Sequence, residues 1–179
     1  PLSGDSGSIT LESLSYGTHQ TELMVNGDME ADGNWINVGT SSEVIVTKSS
    51  TQVYNGTKSW YVQASVQDKG IQGDSVQLIQ GRTYSITARV FLETPGSVKL
   101  RGISTRANGT AFLTFSPEPT VSGVGSWQLL SVANFVPSET VDCKLQFLKE
   151  SGGIIRFYLD AVSVLETNSP KDVAQAEAF

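Results

Sequence analysis

The sequence predicts an all-β fold, an antiparallel β-sandwich, and three observations carry this prediction. Short stretches in which apolar and polar residues alternate recur along the chain, as they do in half-buried strands. Asn or Asp followed by Gly separates several of these stretches, and this pair favours tight turns. Helical spacing of apolar residues is almost absent. About ten short strands joined by turns make two stacked antiparallel sheets the expected architecture.

Alternation is clearest in residues 58–66. Trp60, Val62, Ala64 and Val66 fall on one side of an extended chain and face a core, while Tyr61 and Gln63 fall on the other side and face water. The same parity runs through residues 84–91, 98–101 and 141–147. It makes Cys143 a small buried hydrophobe, and Trp35, Trp60 and Trp127 are expected to be structural.

The length, composition and net charge of the chain limit the classes of protein and partner that need to be considered. The 179 residues suffice for one domain of ordinary size, and 39% apolar with 17% charged residues is typical of a folded globular chain. No apolar run approaches the roughly 20 residues that span a bilayer. The net charge of -6 argues against nucleic acid as a partner, although residues 82–156 carry eight basic and five acidic side chains, a local excess of +3.

The two ends differ from the middle. Residues 1–20 are rich in Ser, Gly and Thr, and we expect a linker there, or an edge or donor strand built on the alternating stretch 8–14. Residues 21–166 form the predicted sandwich domain. Residues 167–179 form a tail in which Ser169 before Pro170 predicts the start of a short C-terminal helix.

Five short motifs occur in the order in which a known family carries them. They are Glu22–Glu30 with Trp35 following, Asn55–Val62, Gln77–Val90, Trp127–Leu130 and Phe157–Val164. Together they resemble the β-jelly-roll carbohydrate-binding modules of families 4, 9 and 22, which have a galactose-binding-like fold. The resemblance implies a β-sandwich jelly roll that binds polysaccharide without catalysis and belongs to a secreted or cell-surface protein. Departures from the pattern are Met29 for a Phe and Ala161 for an Asp, and residues 67–75 carry no aromatic.

A structural calcium ion is common where the first and last strands of such modules meet. By resemblance, the candidate ligands are Asp28, Glu30, the backbone carbonyl of Lys58, and Asp160. The chemistry agrees, because a hard cation takes several oxygen ligands and carboxylates with carbonyls would supply them. In the alternative interpretation, Asp28 belongs to the Asn26-Gly27 turn and Asp160 caps a strand end.

Sugar binding in these modules depends on aromatic faces and on planar polar side chains that recognise hydroxyls. Outward parity offers six candidates for this role: Tyr61, Gln63, Gln77, Arg89, Phe91 and Arg101. If Arg89, Lys99, Arg101 and Lys144 share one sheet face, an acidic glycan such as a uronate or sulfated polymer becomes the sharper hypothesis, since Arg binds such groups with two hydrogen bonds. The alternative is that these residues form a solvated outer face.

Catalysis is disfavoured. His19 is the only histidine and lies in the N-terminal segment, so the predicted domain contains neither a histidine metal cluster nor a Ser-His-Asp triad. A different class of function remains open beside polysaccharide binding. In this alternative hypothesis, the chain is a structural subunit of an extracellular filament, surface layer or virion. It would self-associate by adding its N-terminal segment to the sheet edge of a neighbouring copy.

Overall fold

The computed structural model describes residues 20–106 and 108–167, without the side chain of Leu113. This part of the chain forms twelve strands and contains no helix. The strands are β1 (Gln20–Glu22), β2 (Trp35–Val38), β3 (Val44–Ser49), β4 (Ser59–Ala64), β5 (Gly70–Leu78), β6 (Thr83–Leu92), β7 (Ser97–Thr105), β8 (Ala111–Leu113), β9 (Thr120–Val121), β10 (Trp127–Phe135), β11 (Val141–Ser151) and β12 (Ile155–Thr167). Among the described residues, accordingly, no helix is long and apolar enough to cross a membrane.

The strands make two sheets, and every strand pair is antiparallel. Sheet I has the order β10-β6-β12-β4-β3, with β1 pairing with β12 beyond the end of β4. Sheet II has the order β2-β5-β11-β7-β8, with β9 pairing with β7. The predicted antiparallel sandwich is thereby confirmed. The predicted C-terminal helix and almost all of the N-terminal segment lie outside the described residues.

The core lies between the sheets and follows the predicted parity. Tyr84, Ile86, Ala88 and Val90 are fully buried on β6, and Cys143 is fully buried on β11. Two expectations from parity are wrong. Val66 is exposed because β4 ends at Ala64, so the alternation is cut short there. Trp127 lies on the outer face of sheet I, because it pairs with the outward-facing Phe91.

A bulge in β12 determines how the first and last parts of the chain meet. The register of β12 against β6 shifts between Asp160 and Ser163, and Ala161 has a φ of 48°. The backbone of Gly27 fills the gap next to the bulge and accepts a hydrogen bond from the Val162 N–H at 2.8 Å. A Cβ at Gly27 would lie 1.9 Å from the Val162 carbonyl oxygen, so this approach requires glycine. The bulge thus brings the segment after β1 beside Asp160.

Candidate functional site

Five aromatic rings form a row across the outer face of sheet I. Trp127, Phe91, Tyr158 and Tyr61 are successive partners in the strand register of β10, β6, β12 and β4. Directly opposed residues project to the same side of a sheet, so the four rings come together. Their centroids are 5.7, 6.1 and 5.2 Å apart along the row. Tyr54, in the loop before β4, adds a fifth ring 5.7 Å from Trp127. We call this set the aromatic row.

The rings of the aromatic row differ in exposure. Tyr54 is 45% exposed, Trp127, Phe91 and Tyr61 are half-buried, and Tyr158 is only 4% exposed. Neighbouring strand-borne rings are tilted by 55–72°. Burial, followed by a hydrogen bond to Glu93, raises the pKa of Tyr158 to about 12. The Tyr158 hydroxyl is therefore protonated at neutral pH and donates to Glu93 Oε1 at 2.8 Å.

Charged and polar side chains border the aromatic row on both sides. On one side Arg156 Nε donates to Gln63 Oε1 at 3.0 Å, beside the Tyr158–Glu93 pair. On the other side Arg89 faces Asp160 in the register of β6 and β12, and its guanidinium carbon lies 4.6 Å from the centre of the Tyr54 ring. Two cations and two carboxylates thus balance in charge around the rings.

The six predicted ligand residues fall on two different sheets. Tyr61, Gln63, Arg89 and Phe91 lie on the outer face of sheet I. Gln77, on β5, and Arg101, on β7, lie on the outer face of sheet II. The structure therefore brings the first four together and separates the other two from them.

Three members of the aromatic row were missed in the sequence: Tyr54, Trp127 and Tyr158. The sequence does contain a signal for Tyr158: the residues on either side of it, Phe157 and Leu159, are apolar, and alternation then places Tyr158 on the outer face. Both neighbours are fully buried in the structure. The pattern around Trp127 carried no such signal, because its outward position follows from pairing with Phe91. Tyr54 lies outside the strands, where parity has no meaning.

The outer face of sheet II is occupied by ion pairs. The Lys99 ammonium lies 2.6 Å from Asp68 Oδ1 and 3.5 Å from Glu118 Oε2, and it also contacts Glu150. Arg101 contacts the same Asp68 at 2.9 Å and the same Glu118 at 2.5 Å. The Lys99 side chain is only 7% exposed, and its hydrogen bond is the main cause that lowers the pKa of Asp68. We call these five residues the charged cluster.

The premise of the acidic-glycan hypothesis is wrong, because its four cations do not share one face. Arg89 lies on sheet I, while Lys99, Arg101 and Lys144 lie on sheet II. Lys99 and Arg101 are moreover already paired with carboxylates of the chain itself. Parity shows that the cations of β6 and β7 face outwards, but it does not show which sheet each strand joins. The two consecutive strands belong to different sheets, so their cations lie on opposite faces of the sandwich.

Two predicted metal ligands hold the loop that carries Tyr54. Glu30 accepts hydrogen bonds from the Thr57 N–H (2.7 Å), the Lys58 N–H (3.0 Å) and the Thr57 hydroxyl (2.6 Å). The hydroxyl bond is the largest of the contributions that bring the Glu30 pKa to about 2. Asp160, fully buried, accepts from the N–H groups of Tyr54 (2.8 Å), Asn55 (3.2 Å) and Ala161 (2.6 Å). Burial raises the Asp160 pKa, and these three bonds oppose that shift.

The fit of these residues to a calcium ion can be judged from their chemistry. The two carboxylates bind the same short loop, and each retains acceptor capacity beyond its three hydrogen bonds. They fit a hard cation in kind. Asp28 is exposed, and its Oδ1 accepts the Glu30 N–H at 3.3 Å. In the described ranges no three His, Cys, Asp or Glu side chains are grouped so as to hold a metal, and backbone carbonyls would have to complete the shell.

A fixed cation already lies near these carboxylates. The Lys48 ammonium donates to the Met29 carbonyl oxygen and lies 4.4 Å from the centre of the Trp60 ring. Burial lowers the Lys48 pKa, while the charges of Asp32, Glu30 and Asp28 raise it. The negative charge of the 28–32 segment is thus partly compensated within the chain.

Known structures resemble this sandwich closely in fold. The C-terminal family 22 carbohydrate-binding module of Clostridium thermocellum Xyn10B superposes with a TM-score of 0.61 at 19% identity, over 84% of this chain and 92% of that one. The CBM22-1 xylan-binding domain of Paenibacillus barcinonensis Xyn10C gives 0.64 at 15% identity, over 85% and 97%. A family 11 module of C. thermocellum, solved with a β-1,3-1,4-mixed-linked tetrasaccharide, gives 0.59 at 12% identity, over 83% and 96%.

Sequence comparison identifies the family directly. No curated protein matches the chain. The carbohydrate binding domain profile CBM_4_9, by contrast, matches residues 21–151, which is most of the chain and includes the sandwich from β2 to β11. This match confirms the family resemblance and covers the first four of the five sequence motifs, and the superposed modules confirm the jelly-roll fold. The chain belongs to the carbohydrate binding domain family CBM_4_9.

Proposed function

We propose that this domain holds a single neutral polysaccharide chain against the aromatic row of sheet I. The aromatic row is the observation that carries the proposal. Pyranose rings present C–H faces that pack on aromatic rings, and side chains such as Gln63, Arg156 and Glu93 at the border are suited to hydrogen-bond sugar hydroxyls. Exposed aromatic surface on a folded domain is unfavourable unless a ligand covers it.

Charge favours a neutral glycan over an acidic one. Arg89 and Arg156 are matched around the row by Asp160 and Glu93, so the face has no excess positive charge to attract carboxylates or sulfates. The two cations of the charged cluster are neutralised by their own partners. Acidic polysaccharides are therefore the comparison arm of the test, and we expect them to bind more weakly.

Membership of the family supports two further parts of the proposal. Its domains are generally non-catalytic, and we propose that this domain binds without turnover, in a secreted or cell-surface protein. The names of two related structures, a xylan-binding domain and a module bound to a mixed-linked tetrasaccharide, suggest the first glycans to try. Xylan and mixed-linked β-glucan are the neutral arms of the test.

Affinity electrophoresis and isothermal titration test the binding face. Tyr61→Leu and Phe91→Leu each remove a ring of the aromatic row while keeping apolar volume, and we expect each to weaken binding about ten-fold or more. Phe112→Leu is the matched control, because Phe112 is a half-buried aromatic of sheet II that also contacts an Arg guanidinium. Equal affinity in all three variants, or no binding of the unmodified domain to any glycan, would refute the proposal.

We propose in addition that Glu30 and Asp160 help to hold a structural Ca²⁺, with Asp28 and the Lys58 carbonyl as further oxygen donors. Support comes from two carboxylates that bind the same loop and keep unused acceptor capacity. A bound ion stabilises only the folded state, so calcium should raise the thermal midpoint relative to EDTA. The increase should disappear in Glu30→Gln. An identical midpoint in calcium and in EDTA would contradict the calcium site.

A further inference from the structure

We infer that Glu30 and Asp160 are positioning residues for glycan binding, which act by holding the 54–58 loop so that the Tyr54 ring extends the aromatic row. The inference rests on the proposed function of that row. Tyr54 is the one member of the row outside a strand, so the register of sheet I does not fix its ring. Something else has to hold it beside Trp127.

Two carboxylates from distant parts of the chain hold this loop from its two ends. Asp160, on β12, binds the N–H groups of Tyr54 and Asn55, while Glu30, in the segment before β2, binds those of Thr57 and Lys58. Four of the five backbone N–H groups of the loop are thus directed at a carboxylate. Such charge-assisted bonds are stronger than bonds between neutral groups. The loop is fixed relative to both the bulge of β12 and the start of the domain.

The remaining residue of the loop shows how closely Glu30 approaches it. Gly56 has a φ of +78°, and a Cβ there would lie 2.3 Å from Glu30 Oε1. Only glycine meets both requirements without displacement. The carboxylate of Glu30 is therefore in direct contact with the backbone of the loop.

The held loop places the most exposed ring of the aromatic row. Tyr54 lies 5.7 Å from Trp127 at an interplanar angle of 66°, and the Arg89 guanidinium packs on its face. Asp160 faces Arg89 in the strand register, so the anchor of the loop and the cation under the ring are neighbours on sheet I. Release of the loop would remove this end of the row and shorten the surface that a glycan contacts.

A double-mutant cycle tests the inference with the glycan that the unmodified domain binds best. We expect Glu30→Ala and Tyr54→Ala each to weaken binding about ten-fold, and the double variant to bind no more weakly than Tyr54→Ala. Glu30→Gln retains one acceptor oxygen and should recover part of the affinity. The matched control is Glu43→Ala, since Glu43 binds the N–H and hydroxyl of Thr40 as Glu30 binds those of Thr57. It should bind glycan normally.

A spectroscopic readout separates positioning from general loss of structure. Nuclear Overhauser contacts between the Tyr54 and Trp127 rings should be present in the unmodified domain and in Glu43→Ala, and absent in Glu30→Ala. Asp160→Asn provides the same comparison from the other end of the loop if Glu30→Ala does not fold. The inference is overturned if the Glu30 and Tyr54 effects multiply, or if binding persists when the ring contacts are lost. In either case the proposed function stands as long as Tyr61→Leu and Phe91→Leu lose affinity.

Discussion

Replacement of Lys99 by Met tests whether the charged cluster of sheet II is structural. Met keeps most of the apolar length of the lysine stem and removes the ammonium. That ammonium is nearly buried and contacts Asp68, Glu118 and Glu150. The variant should therefore lose folding stability and bind glycan as well as the unmodified domain, because the aromatic row lies on the other sheet.

The expected loss follows from what each carboxylate retains. Asp68 and Glu118 keep their contacts with Arg101, so the main loss is at Glu150. Apart from the lysine ammonium, no donor in the described part of the chain reaches the buried Glu150 Oε2. Breaking a fully buried ion pair costs about 3–5 kcal/mol. Since the Glu150 side chain is 37% exposed and water can solvate part of it, we expect a loss of about 1–2 kcal/mol.

Urea unfolding at pH 7 measures this loss, and titration with glycan measures binding by the same variants. Lys144→Met is the control, because Lys144 is an exposed cation on the same sheet, and it should change stability by less than about 0.5 kcal/mol. Glu150→Gln added to Lys99→Met should recover part of the stability, as no unpaired charge is then left. The reasoning is refuted if Lys99→Met is as stable as the unmodified domain, or if a folded Lys99→Met binds glycan more weakly.

Three further predictions concern single residues. Gly56→Ala should lower the free energy of unfolding in urea by about 1–3 kcal/mol, because the new Cβ meets Glu30 at a positive φ; an unchanged midpoint would contradict this loop geometry. Burial raises the pKa of the Cys143 thiol, so a thiol reagent such as DTNB should react with it far more slowly in the native domain than in urea, and equal rates would show that the thiol is accessible. The hydrogen bond from Lys99 lowers the pKa of Asp68 in the folded state. The pair therefore stabilises the fold fully above the ordinary pKa of an Asp, and this contribution is lost as the pH falls through the lowered pKa. In urea unfolding over that acidic range, Lys99→Met should lose less stability than the unmodified domain, and an equal loss would contradict the pairing.

Parity along the sequence predicted the core well and the proposed binding face only in part. Which residues of a strand face inwards is a local property, and Tyr84, Ile86, Ala88 and Val90 lie in the core as expected. Which sheet a strand joins is set by long-range pairing. Arg89 and Arg101 have the same outward parity on β6 and β7, yet they lie on opposite faces of the sandwich. A six-residue site assembled from parity was therefore divided between two sheets.

The last strand, β12, links the aromatic row to the segment after β1 that packs beside it. On β12, Phe157 and Leu159 point into the core, so Tyr158 and Asp160 both point outwards from sheet I. Tyr158 supplies the ring between Phe91 and Tyr61, and Asp160, two residues further along, anchors the loop that carries the terminal ring of Tyr54. The bulge that follows directly admits Gly27 and brings Glu30 to the other end of that loop. One strand thus carries both an inner ring of the aromatic row and the anchor of the Tyr54 loop, so a shift in its register would displace the ring and the anchor together.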